Sequence, residues 1–153
     1  MKLLEAIQRT LAGEKVAGFR MRLPPPVAKL IGFEPVGVAE GSAVFRLQAR
    51  SEKHANPMGT VHGGILCDLA DAAMGMACAS LLDEGESFTT LELKINYLRP
   101  VMEGLLEARA RVVHSGKSIV YLDCDVVIVP DEKLVARATS TCMVLRGEQA
   151  RGR

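Results

Sequence analysis

A chain of 153 residues, 48% hydrophobic and 24% charged, has the size and balance of one globular domain with its own core. The formal net charge is +1, charges of both signs are interspersed, and aromatic residues make up 4% with no Trp. These values exclude a basic nucleic-acid surface, a charged membrane-binding face and a base-stacking platform.

The four cysteines lie far apart with no CxxC pair, and three histidines offer few metal ligands, so no metal site is expected. Residues 1–13 lack the apolar core of a signal peptide, and no apolar run is long enough to span a bilayer. A reduced, cytoplasmic location follows as the expectation.

Leu3, Leu4, Ile7 and Leu11 recur at helical spacing, which predicts an amphipathic helix over residues 2–12. Residues 13–32 contain Pro24-Pro25-Pro26 and read as an extended linker, so 1–32 form a helix and a proline-containing connection ahead of a domain at 33–146. From Val36 to Ala49, Phe45, Leu47 and Ala49 alternate with Val44, Arg46 and Gln48, the pattern of one strand with a wet face. Residues 51–61 are a polar loop with a turn at Asn56-Pro57.

Gly63 to Leu82 is the longest helical candidate, apolar on nearly every side and rich in alanine and glycine, as expected of a helix enclosed by a sheet. Four β-patterned segments follow: 89–97, 104–114, 120–126 and 134–145, separated by the turns His114-Ser115-Gly116-Lys117 and Pro130-Asp131-Glu132-Lys133. Residues 147–153 are a polar tail. The order implies an α+β fold in which an antiparallel sheet of five to six strands wraps one long central helix at about 63–82.

Asp71 is the strongest chemical clue, because its neighbours on the helix are Ala70, Ala72, Ala73 and Met74. A carboxylate among apolar groups is shifted in pKa or hydrogen-bonded, which suits a general base or a nucleophile. The competing reading is a narrow solvated stripe formed by Asp68 and Asp71. His62-Gly63-Gly64 opens the same helix, where unpaired N–H groups uncovered by side chains could stabilise an oxyanion.

Eight residues of helix separate Gly63 from Asp71, a distance of about 12 Å. A base and an oxyanion donor serving one carbonyl must both come within about 3 Å of it. One helix cannot do this, whereas a two-fold dimer with antiparallel helices can. Other residues have ordinary readings when taken alone: Asn56 as an Asx turn, Thr90 as a strand threonine, and Lys117 with Ser118 as a solvated hairpin tip. The alternative for Lys117 is contact with a nucleotide phosphate.

Asn56-Pro57-Met58-Gly59-Thr60-Val61-His62-Gly63-Gly64, followed by Leu69-Ala70-Asp71, resembles the hotdog-fold acyl-CoA thioesterases of the phenylacetate-pathway (PaaI-like) and 4-hydroxybenzoyl-CoA thioesterase superfamily. Leu91 to Pro100, Gly104, His114 to Lys117 and Leu134 to Thr139 extend the likeness over about 36–145. The resemblance implies that Asp71 activates water or attacks the thioester, and that the Gly63 N–H holds the oxyanion. It also implies that His62 and Asn56 hold the thioester and the lytic water, and that Thr90 helps position that water. A homotetramer built from two dimers, an acyl-CoA substrate and no metal or cofactor are implied in the same way, and Arg99, Lys117 and Ser118 become the candidates for a rim that holds the CoA phosphates.

A hotdog enoyl-CoA hydratase resembles its relatives in carrying a histidine five residues after the aspartate, where this chain has Met76. A non-catalytic acyl-CoA sensor of the same fold is disfavoured by Asp71 and by an N-terminal segment too short for a DNA-binding helix pair. Leu69, Met74 and Met76 are the expected lining of the acyl pocket, for either an arylacetyl or an aliphatic group.

Overall fold

The computed structural model describes residues 2–152; Met1 and Arg153, the outer ends of the expected N-terminal segment and polar tail, lie outside the described residues. The chain runs through α1 (Leu3–Leu11), α2 (Pro26–Ile31), β1 (Phe33–Ala39), β2 (Ser42–Ala49), α3 (Ser51–His54), α4 (Gly63–Ala79), β3 (Ser87–Tyr97), β4 (Gly104–Ser115), β5 (Ile119–Val129) and β6 (Lys133–Leu145). A 3-10 turn at Gly147–Ala150 follows in the tail. Six strands form one antiparallel sheet in the order β1-β2-β4-β5-β6-β3, so β1 and β3 are its edges. The helix α4 carries the chain from β2 to the far edge and touches every strand. This is the α+β hotdog arrangement.

Alternation sets the register. Ala43, Phe45, Leu47 and Ala49 of β2 are buried against α4, while Arg46 and Gln48 point to solvent. Leu69, Ala70, Ala73, Met74 and Ala77 of α4 share one core with Leu106, Leu122, Val126 and Val135 of the sheet. The alanines let the helix lie close to the strands, and each fully buried leucine contributes about 1.5–3 kcal/mol. On the outer face, charges pair across strands: Arg111 with Asp123 and Arg137 with Asp125, in register.

Five local expectations are corrected. The predicted strand 36–49 is two strands, because Gly41 takes a φ of 71° and closes a hairpin that the continuous alternation conceals. The predicted linker contains α2, because Pro26 sits at the first helical position, where its missing N–H is harmless, and Gly32 at φ 97° ends the helix. The polar loop 51–61 begins with the short helix α3.

The long helix stops at Ala79, three residues before Leu82. Ser80 Oγ donates to the Ala77 carbonyl at 2.7 Å and accepts the Gly41 N–H at 2.8 Å, tying the helix end to the β1–β2 hairpin. Nor is α4 enclosed all round: Gly64, Asp68 and Asp71 form an exposed stripe at helical spacing. Among the described residues no helix is long and apolar enough to cross a membrane.

Candidate active site

The approach to α4 is built from backbone ties. His54 is buried, its Nδ1 accepting the Arg50 N–H at 3.0 Å and its Nε2–H donating to the Ile31 carbonyl at 2.8 Å. Its own carbonyl accepts the His62 N–H at 2.7 Å, so one histidine couples the end of α2 to the entrance of α4. Both ends of the Asn56 amide are engaged within its loop. Its Oδ1 accepts the Met58 and Thr60 N–H groups at 3.0 and 3.2 Å, and its Nδ2 donates to Thr60 Oγ1 at 2.7 Å. In the single chain, Asn56 shapes the turn before His62.

His62 is the N-cap, and its Nδ1 accepts the Gly64 N–H at 3.0 Å. Ile65 N–H bonds back to the His62 carbonyl at 2.9 Å. The Gly63 N–H takes no partner among the described residues, as the first helical position allows. Capping by His62 thus singles out one free donor at the positive end of the helix. Tyr97 closes over the same residue: its hydroxyl donates to the Gly63 carbonyl at 2.9 Å, and a Cβ at position 63 would lie 2.8 Å from its ring.

Asp71 and Thr90 sit together elsewhere. Both line a cavity of about 450 Å³ whose walls include Asp68, Ala72, Gly75 and Phe45. Its outer wall comes from residues 21–25 and 27 of the N-terminal segment. Asp71 is exposed in the isolated chain but faces these mostly apolar walls. Partial burial first, and the charge of Asp68 second, raise its carboxyl above the ordinary aspartate range. Thr90 Oγ1 lies 3.7 Å from Cys142 Sγ on the adjacent strand.

The cavity contains neither Gly63, His62 nor Asn56. The structure therefore brings Asp71 and Thr90 together, and separately gathers Asn56, His62 and Gly63. It does not join the two groups within one chain.

Other expected residues are placed as follows. Leu69 and Met74 are fully buried in the core and do not line the cavity, whereas Met76 does. Side chains four residues apart on a helix face the same way, and Ala72 and Met76 share the cavity face with Asp68. Arg99, Lys117 and Ser118 are exposed, but at opposite ends of β6. Arg99 N–H bonds to the Val135 carbonyl, and Val144 N–H to the Ser118 carbonyl. Nine residues of strand put those contacts roughly 30 Å apart.

Tyr97, His54 and the 21–27 wall carry no signal in the sequence that assigns them a role at the site. The need for glycine at 63 was the only trace of Tyr97. Among the described residues no group of three or more His, Cys, Asp or Glu side chains is placed to hold a metal ion.

Residues 58–135, just over half of the chain, match the thioesterase superfamily. The 1,4-dihydroxy-2-naphthoyl-CoA hydrolase of Listeria monocytogenes serotype 1/2a (strain 10403S) is 36% identical over 88 residues, 58% of this chain and 71% of that protein. The structure of a conserved protein from Pseudomonas aeruginosa superposes with a TM-score of 0.74 at 36% identity, covering 79% of this chain and 94% of that one. The E. coli PaaI protein from the phenylacetic acid degradation operon superposes with a TM-score of 0.79 at 28% identity, over 96% of this chain and 98% of its own. That last alignment takes in most of the N-terminal segment, which the sequence motifs did not reach. The chain belongs to the thioesterase superfamily and is a thioester hydrolase of the PaaI-like hotdog type.

Proposed function

We propose that the protein hydrolyses an acyl-CoA thioester at a site shared by two subunits, with Asp71 of one and the Gly63 N–H of the other acting on the same carbonyl. The observation that carries this reading is the separation of the free Gly63 donor from the cavity that holds Asp71 and Thr90. The strand β3 runs between the two halves, with Thr90 at the Asp71 end and Tyr97 at the Gly63 end. It is also a sheet edge, with one side unpaired. Antiparallel pairing of two β3 edges about a two-fold axis sets Tyr97 of each chain beside Thr90 of the other, and so joins Gly63 to Asp71 twice. The same operation moves Arg99 of one subunit toward Lys117 and Ser118 of the other, where they can flank one CoA. Two such dimers form the proposed tetramer.

In the reaction, Asp71 takes a proton from a water molecule that Thr90 helps to position. The water oxygen attacks the thioester carbon, and the Gly63 N–H stabilises the resulting oxyanion. Collapse breaks the C–S bond, and the CoA thiolate leaves and takes up the proton. His62 holds Gly64 in its cap, which leaves the Gly63 donor free, and Asn56 fixes the turn before it. No metal or cofactor takes part, so activity is expected to survive exhaustive dialysis against a chelator.

The test is free-thiol release from a panel of acyl-CoA thioesters by wild type and Asp71→Ala. Hydrolysis of none of them, or wild-type kcat in the variant, overturns the proposal. For the shared site, Asp71→Ala is mixed with a Gly63→Pro/Tyr97→Ala double variant, in which the tyrosine is removed to make room for the proline ring. Hybrid dimers are expected to regain activity at one of their two sites. Confirmed subunit exchange with no regain counts against the two-subunit arrangement.

A further inference from the structure

A second hollow lies against α4 beside the first. It measures about 530 Å³ and sits beneath α1 and residues 16–20, bounded by Ala79 and Leu82 at the far end of the helix. Met21 and Phe88 are the two residues that line both hollows. Phe88 is half-buried and lies over Gly75, where a Cβ would stand 3.3 Å from its ring tip; the glycine is what lets the ring lie close to the helix. Met21, also half-buried, packs from the N-terminal segment against the same core. Apolar side chains face the partition from both directions: Phe45 and Met76 on the Asp71 side, Leu3 and Phe19 on the other.

We propose that Met21 and Phe88 are the floor of the acyl pocket and set the longest acyl chain the enzyme accepts. The inference rests on the reading that the Asp71 cavity holds the acyl group. A chain that reaches the partition has no further apolar space, and additional methylenes gain nothing. If the partition is removed, each methylene entering the second hollow raises kcat/KM by up to about fourfold, the value of one buried CH2. The N-terminal segment, which supplies Met21, thereby takes part in substrate selection.

The experiment measures kcat/KM from butanoyl-CoA to octadecanoyl-CoA, with phenylacetyl-CoA as a compact reference, for wild type, Phe88→Ala, Met21→Ala and Phe88→Ala/Ala17→Trp. Thermal melts of each variant confirm folding. Phe88→Ala and Met21→Ala are expected to move the optimum to longer chains and to raise the octadecanoyl to phenylacetyl ratio by about tenfold or more. Ala17 is exposed and borders only the second hollow, so an indole there is expected to refill it and return the optimum to that of wild type. Folded Phe88→Ala and Met21→Ala proteins with an unchanged optimum overturn the inference, as does a gain that Ala17→Trp leaves intact. Failure of wild type to cleave any thioester is a different result: it removes the proposed function, and this inference with it.

Discussion

The Tyr97 hydroxyl donates to the Gly63 carbonyl at 2.9 Å, and its ring occupies the space that any side chain at position 63 needs. Glycine at 63 therefore gives clearance beneath an aromatic ring and, in the proposed reaction, an uncovered N–H toward substrate. Gly63→Ala is expected to lower kcat by about tenfold or more, as the donor is displaced from the oxyanion. In a Tyr97→Ala background the same change is expected to cost much less. Additive losses in that double-mutant cycle would show that the ring and residue 63 are independent.

Asp71 has a carboxyl raised by burial and by Asp68, and in the proposed reaction it acts deprotonated. The kcat/KM profile should therefore fall on the acid side through a pKa above the ordinary aspartate value. Asp68→Asn removes the like charge and should shift that limb to lower pH, with kcat on the plateau little changed. A limb that stays in place under Asp68→Asn assigns it to another group.

Replacing Asp71 by Asn should reduce kcat by about 10²–10⁴-fold, the usual worth of a general base. A carboxyl raised by the fold is less comfortable charged in the native state than in the unfolded chain, so it costs stability above the unfolded pKa and the cost vanishes as pH falls. The inactive variant should accordingly melt no lower than wild type at neutral pH. A single turnover in ¹⁸O-water tests for a nucleophile: direct attack by water labels the acid product and leaves Asp71 unlabelled, whereas an Asp71 anhydride opened by water at the Asp71 carbon gives an unlabelled product and puts the ¹⁸O into Asp71.

Glu107 is buried on β4 and accepts from Arg46 Nε at 2.7 Å and Arg109 Nε at 2.8 Å. Burial pushes its carboxyl up, but the hydrogen bonds and charges of the two arginines outweigh this, and it rests below the ordinary glutamate value. Stability from this group is complete above the unfolded pKa and is lost as pH falls through the lower folded one. Glu107→Gln should cost about 1–2 kcal/mol at neutral pH, limited because both arginines are half-exposed, and the difference should close in acid. Urea titrations of both proteins across that range provide the check.

The His54 ring bonds to no candidate catalytic side chain, yet it satisfies the Arg50 N–H and the Ile31 carbonyl, and its backbone carbonyl holds the His62 N–H. His54→Ala leaves two polar groups short of partners and should cost about 1–3 kcal/mol for each that stays buried. If the histidine also positions the site, kcat should fall with KM nearly unchanged, and His54→Gln, which retains a donor and an acceptor, should recover part of both losses. Full activity at temperatures where the alanine variant remains folded would limit His54 to a structural role.

Local pattern carried much of the architecture. Alternation in 42–49 and 104–115 marked the inward residues, because a pleated strand with one wet face writes its orientation directly into the chain. It failed where a turn interrupts no pattern: Gly41 reverses the chain between two segments that read as one. It also failed at Pro26, where a residue that breaks helix interiors begins a helix. The stop at Ser80 depends on a bond to Gly41, 39 positions away, which no local window contains.

At the site, the sequence alone established the kinds of group present and that Gly63 and Asp71 stand too far apart on one helix to share a carbonyl, since the rise of an α-helix is a constant of its backbone. It identified Asp71 from its apolar neighbours, but not that the carboxylate lies on an open stripe, because exposure depends on which helix face the sheet covers. Only the tertiary structure decided that Leu69 and Met74 belong to the core, that residues 21–27 wall the Asp71 cavity, and that Tyr97 sits over Gly63. Those relationships join segments remote in the chain through packing, and packing is chosen by the whole core together.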